Sequence, residues 1–166
     1  NAQPALMAVS IAAVRALEAE LGRPLAAVTD VVAGHSLGEY TALTAAWTFD
    51  VATAARLLDL RGAAMQAAVP VGDGAMAALM GLDVPRVAAL LATLDGVVDI
   101  ANDNADGQVV VSGERAAVEA AVEAARAAGA RRATVLSVSA PFHCRLMRPA
   151  AERMAQALGE VRLATP

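Results

Sequence analysis

Ser36 is the side chain whose neighbours best suit covalent chemistry. It sits in Gly34-His35-Ser36-Leu37-Gly38, a Gly-X-Ser-X-Gly pattern that follows the apolar run Val28–Ala33 and precedes residues of helical pattern. That order reads as strand, sharp turn, helix, with the serine hydroxyl exposed on a strained elbow and the two glycines letting strand and helix pass close together. The backbone N–H of Leu37, at the start of the helix, would face the negative charge that develops on an attacked carbonyl. The same residues also suit an ordinary strand-to-helix turn with Ser36 as its N-cap.

A serine nucleophile needs a base within hydrogen-bond reach, and the chain has two histidines. His35, next to Ser36 on a strand, would point to the opposite face and so buttress the elbow. His143 follows Ser139-Ala140-Pro141-Phe142 on a loop that leads into a helix entered near Pro149. Loops set by rigid elements are where catalytic side chains concentrate, although a histidine there can equally cap or pack under Phe142. No carboxylate declares itself as a third member: Asp50, Asp59, Asp99 and Asp103 all read as caps or loop residues.

Arg61 interrupts an otherwise apolar stripe, since Leu58, Arg61, Gly62 and Met65 share one helical face. The glycine suggests a close approach to that face. Periodicity by itself favours an arginine at the rim of the stripe, its stem covered and its head in water.

The elements that would position these groups follow from hydrophobic spacing. Helical spacing begins at Pro4 and stops at Gly22-Arg23-Pro24, and the continuous run Val28–Ala33 has the character of a strand buried on both faces of a parallel sheet. The elbow helix should run from Leu37 to about Trp47, and a longer helix from an Asp50 cap to about Val69. After the loop Pro70-Val71-Gly72-Asp73-Gly74 the pattern changes. Ala75–Leu82 reads as a strand, Pro85–Leu94 as a helix, Val97–Ala101 and Gln108–Ser112 as strands joined by a loop over 102–107, Glu114–Ala128 as a helix and Arg132–Ser139 as a strand. Strand-helix-strand-strand-helix-strand is the ferredoxin-like order. The fold class is therefore α/β, with residues 1–70 and 139–166 forming the main domain and 71–138 an inserted ferredoxin-like subdomain.

Composition bounds the function. The 166 residues are 57% hydrophobic with net charge −4, enough for a packed core and without the signature of disorder. With pI near 5.1 and 2% aromatic residues, there is neither a basic field nor a stacking platform for nucleic acid. No run is long and apolar enough for a membrane span, and nothing resembles a signal peptide, so a cytoplasmic location is expected. One cysteine, Cys144, and two histidines provide no metal-ligand spacing, and no metal is expected. All 13 basic residues are arginine, so the choice of arginine over lysine at any one position says little. The first residue is not methionine and the last lack an obvious cap, the pattern expected of a piece of a longer protein.

Taken together, several stretches resemble the malonyl-CoA:acyl carrier protein transacylases and the acyltransferase domains of fatty acid and polyketide synthases. They are Asn1-Ala2-Gln3-Pro4-Ala5-Leu6, Gly34-His35-Ser36-Leu37-Gly38-Glu39-Tyr40, Arg61-Gly62 with Met65-Gln66, Gly74-Ala75-Met76-Ala77-Ala78, Gly107-Gln108-Val109-Val110 and Pro141-Phe142-His143, in the family's order and across essentially the whole chain. The resemblance implies an α/β-hydrolase-like large domain, here partial, with a ferredoxin-like insertion.

It also implies roles. Ser36 would carry the acyl group, His143 would be general base and then acid, Leu37 would donate one oxyanion N–H, and Arg61 would hold the free carboxylate of malonyl. Gln3, Phe142 and the Asn102/Asn104 loop would lie near the pocket. The family takes a second oxyanion donor from a glutamine in an N-terminal Gly-Gln-Gly segment and orients its histidine with a downstream backbone carbonyl; this chain contains neither stretch. The reaction implied is ping-pong transfer of malonyl from malonyl-CoA to the phosphopantetheine thiol of acyl carrier protein, with no cofactor bound to the enzyme itself. Because acyl carrier protein is acidic throughout the family, Arg145 and Arg148, or else the Arg131-Arg132 pair, are the expected docking surface, with plain solvated arginines as the alternative. Competing readings are a serine esterase or thioesterase, the acyltransferase subunit of malonate decarboxylase, an excised polyketide synthase domain, and an inactive module that only docks carrier protein.

Overall fold

The computed structural model describes residues 2–165. In chain order it contains α1 (Gln3–Leu21), a 3-10 turn (Leu25–Ala27), α2 (Gly38–Ala45), α3 (Val51–Ala67), β1 (Gly74–Met80), α4 (Val84–Leu91), β2 (Val98–Ala105), β3 (Gln108–Glu114), α5 (Arg115–Ala127), β4 (Arg132–Val135), a 3-10 turn (Arg145–Met147) and α6 (Arg148–Gly159). The chain divides into two compact units, Asn1–Ala64 with Glu152–Pro166, and Met65–Ala151. The second unit thus reaches further than residues 71–138 in both directions.

The first unit is helical. Met7 and Ile11 of α1, Ala54, Leu57 and Leu58 of α3, Met154 of α6, and Phe49 just ahead of α3 close one apolar core. Asp50 caps α3 as its sequence suggests, accepting the Thr53 N–H at 2.6 Å. The run Val28–Ala33 is not a strand. Val31 is 77% and Val28 43% exposed, and the segment's side-chain hydrogen bonds are local, between Thr29 and Val31. A strand is defined by its neighbours, and among the described residues the only sheet lies in the other unit. The elbow helix is also shorter than expected. Trp47, in the left-handed region at φ 63°, ends it, and its exposed indole lies under the Arg15 guanidinium, 4.2 Å from the ring centre.

The second unit is a four-stranded sheet in the order β2-β3-β1-β4, all pairs antiparallel. Ala117, Val118, Ala121, Val122 and Ala125 make the apolar stripe of α5, which with Val87 of α4 covers Ala75, Ala77, Leu79, Val109 and Val111. Asp83 caps α4 through the Arg86 N–H at 2.9 Å. The expected loop over residues 102–107 is largely strand. β2 continues to Ala105, and the register skips Ala101 and Asn104, two bulges on an edge strand that let an Asn/Asp-rich sequence keep pairing. β4 stops at Val135, short of Ser139.

Among the carboxylates that accept backbone N–H groups are Glu18, from Leu25, Asp50, from Thr53, and Asp99, from Arg145. These bonds, led at Asp99 by the Arg145 side chain, hold all three below the ordinary carboxylate range. A pKa lowered on folding contributes stability that is present above the unfolded value and lost as pH falls through the folded one. The urea midpoint should therefore hold near neutrality and fall as acidification protonates these carboxylates; a midpoint unchanged on acidification would contradict these bonds.

Candidate active site

The turn at Ser36 has the geometry its glycines suggest. Ser36 is in the left-handed region at φ 55°, a strained placement for a residue with a Cβ. A Cβ built on Gly34 would fall onto the carbonyl group of Gly38, so the incoming segment and α2 touch backbone to backbone and only glycine fits. The turn is closed by Gly38 N–H to the His35 carbonyl (2.9 Å), Glu39 N–H to Ser36 (3.2 Å) and Tyr40 N–H to Leu37 (3.1 Å). Leu37 N–H is not among these donors and stands at the positive end of α2. Ser36 is not the N-cap: Leu37 occupies that position and no side chain caps the helix.

Arg61, on α3, does not send its head into water. One guanidinium nitrogen donates to Gln3 Oε1 at 2.6 Å and another to Ser36 Oγ at 3.1 Å. The group is half-buried and lies 5.9 Å from the centre of the Tyr40 ring. Burial pushes the guanidinium down from its usual range, opposed by the Tyr40 and Glu39 charges, while burial pushes the Tyr40 phenol up. Both shifts leave a cation beside a neutral phenol at neutral pH. Gln3 thus does more than open α1: it fixes one edge of the guanidinium and leaves the other against the serine. Tyr40 was visible in the sequence only as part of the elbow motif, and its place under the cation had no spacing signal of its own.

The second unit carries the other candidates. His143 adopts a left-handed backbone at φ 61°. Its segment is held from several sides. Pro141 is buried against β1, where a Cβ on Gly74 would overlap its ring. Gln66 Nε2 donates to the Ser139 carbonyl at 3.2 Å, Phe142 N–H to the Ala140 carbonyl at 3.0 Å, and Cys144 Sγ to the Pro141 carbonyl at 3.1 Å. Phe142 is partly exposed, and Asn104 lies exposed at its bulge on β2 rather than on a turn.

Two expectations change. Asp99 is neither a cap nor a loop residue; it stands on β2 and receives both the backbone N–H and the guanidinium of Arg145. Arg145 is accordingly an ion-paired side chain, with 70% of it still exposed. Their separation of 46 positions in the chain left no local signal of the pair.

Among the described residues, no group of three or more His, Cys, Asp or Glu could hold a metal ion, and no helix is long and apolar enough to cross a membrane.

The first unit thus fixes a cation beside the hydroxyl of a serine on a strained elbow. The chain belongs to the acyl transferase domain family, whose pattern matches residues 1–166. The malonyl CoA-acyl carrier protein transacylase of Escherichia coli strain K12 is 47% identical over 166 residues, covering 99% of this chain and 52% of that protein. The crystal structure of acyl-carrier-protein-S-malonyltransferase from Bartonella henselae superimposes with a TM-score of 0.95 at 55% identity, over 100% of this chain and 53% of that one. A third neighbour, a malonyl-transacylase in complex with a type II PKS acyl-carrier protein, has a TM-score of 0.91 at 44% identity, over 99% of this chain and 52% of that one. The chain therefore spans about half the length of the curated relatives it matches.

Proposed function

We propose that this chain is part of a cytoplasmic malonyltransferase that moves malonyl from malonyl-CoA to the phosphopantetheine thiol of acyl carrier protein, serving fatty acid synthesis. The fold that goes with this reading is an α/β-hydrolase-like domain, of which the first unit is a portion, and a ferredoxin-like subdomain supported by the β2-β3-β1-β4 order. The observation that carries the function is the Arg61 guanidinium, bridging Gln3 and Ser36 Oγ. In a malonyl thioester the free carboxylate is one methylene from the reacting carbonyl. A cation held against the nucleophile by a neutral amide can turn its outer edge to such a carboxylate, and a bidentate pair would both choose and anchor it.

On this reading Ser36 Oγ bonds to the thioester carbon as its proton passes to His143, and the developing oxyanion takes the Leu37 N–H. The C–S bond then breaks and the proton goes to the departing CoA thiolate. The pantetheine thiol attacks the malonyl-serine ester in the reverse sense, restoring Ser36. Phe142, Gln3 and Asn104 are the proposed pocket residues, Gln3 on the strength of its bond to Arg61.

The test is malonyl-CoA consumption by the full-length protein with and without an acceptor thiol. A transferase forms one malonyl-enzyme per active site and then waits for acceptor. Continued CoA release in water alone would make it a thioesterase and overturn the transfer reading.

A further inference from the structure

The segment that bears His143 is tied to the edge of the sheet by one ion pair of unusual completeness. The Asp99 carboxylate accepts the Arg145 N–H at 2.8 Å with Oδ2, Arg145 Nε at 3.0 and 3.1 Å, and the outer guanidinium nitrogen at 2.5 Å with Oδ1. Most surface ion pairs contribute little, because two mobile side chains must be held together. This one differs in that its carboxylate is only 21% exposed and also grips the main chain, two residues past a histidine in a left-handed conformation. The other anchor is Pro141, seated on Gly74, two residues before that histidine. His143 is therefore the midpoint of a short span clamped at both ends, and only the Pro141 end is apolar. Asp99 stands next to the Ala101 bulge, which breaks the regular register of β2 just after the clasp.

We propose that Asp99, acting through Arg145, is a positioning residue for His143: it fixes the downstream end of the span and so aims the imidazole. This rests on the reading of His143 as the base. A misplacement of about 1 Å in such a group can cost on the order of a hundredfold in rate. The hydrogen bonds of the Asp99 carboxylate all go to Arg145, so its loss should act on turnover and spare binding of the acyl donor.

The experiment is a double-mutant cycle in the full-length protein, read as single-turnover malonylation of Ser36 and as steady-state transfer. Asp99→Ala should lower kcat about 10- to 100-fold and leave KM for malonyl-CoA within about twofold. Asp99→Asn, which keeps an acceptor for the Arg145 N–H, should lose about three- to tenfold and guards against a folding failure in the alanine variant. In a His143→Ala background, Asp99→Ala should cost less than about twofold more, because the group it aims is gone. A purely structural carboxylate would show its full penalty in both backgrounds, and that result overturns the proposal while leaving His143 as base. Should His143→Ala itself cost less than about tenfold, the base assignment falls first and takes the positioning role with it.

Discussion

Ser36→Ala protein, incubated with excess malonyl-CoA, keeps its unmodified mass. The variant retains the elbow, because Gly34 still lets the incoming segment lie against Gly38 and alanine meets the same left-handed strain as serine. Arg61 loses one acceptor and keeps Gln3. Donor binding should therefore survive while the covalent step disappears, with kcat falling on the order of a millionfold as in other enzymes that lose a serine nucleophile. The experiment pairs intact-mass analysis with a binding measurement for malonyl-CoA. A malonyl adduct on the variant would show that another residue is acylated and would sink the Ser36 assignment.

The second large effect is one of selectivity. With Arg61→Ala, a malonyl carboxylate enters a half-buried site with no cation to meet it. Breaking a buried pair by removing one partner costs on the order of 3–5 kcal/mol, and partial exposure brings this nearer ~2–3 kcal/mol. That corresponds to about a 30- to 150-fold drop in kcat/KM for malonyl-CoA. An acetyl group has no carboxylate to lose, and for it the variant also removes a desolvated cation from the pocket. Acetyl transfer should hold or improve, so the ratio of the two substrates is the quantity to measure. Arg61→Lys keeps the charge but cannot reach Gln3 and a carboxylate with two planar edges at once, so an intermediate loss is expected. Equal losses with malonyl and acetyl would mean that Arg61 supports the elbow and selects nothing.

What was legible in the sequence was what short-range rules control. The elbow is written in five consecutive residues, and both the strain at Ser36 and the glycine contact follow from them. The strand and helix order of the second unit is likewise visible, because each element packs one face on a single core. Failures came where distant partners decide. Val28–Ala33 has strand composition, yet a strand is made by the chain beside it, and no neighbour is present among the described residues. Asn102 to Ala105 has turn composition, but the edge of a sheet accommodates it through bulges. Arg61 looked like a rim arginine because periodicity records which face a residue takes and not what meets its head; Gln3, 58 residues away, settles that. Asp99 was invisible for the same reason, its partner lying on a loop far along the chain.

The stacking of Arg15 over Trp47 has an optical consequence. The chain has one tryptophan and one tyrosine, and both Trp47 and Tyr40 belong to the helical unit. Intrinsic fluorescence is therefore blind to the sheet. Because the indole is already exposed, its emission wavelength has little room to move, and what changes on unfolding is the removal of the guanidinium from its ring face. Emission thus follows the fit of α1 against residue 47, whereas far-ultraviolet ellipticity follows all the helices and strands. Agreement between two such curves is the ordinary sign of all-or-none unfolding, and in this molecule it would compare a reporter confined to one unit with a signal drawn from both.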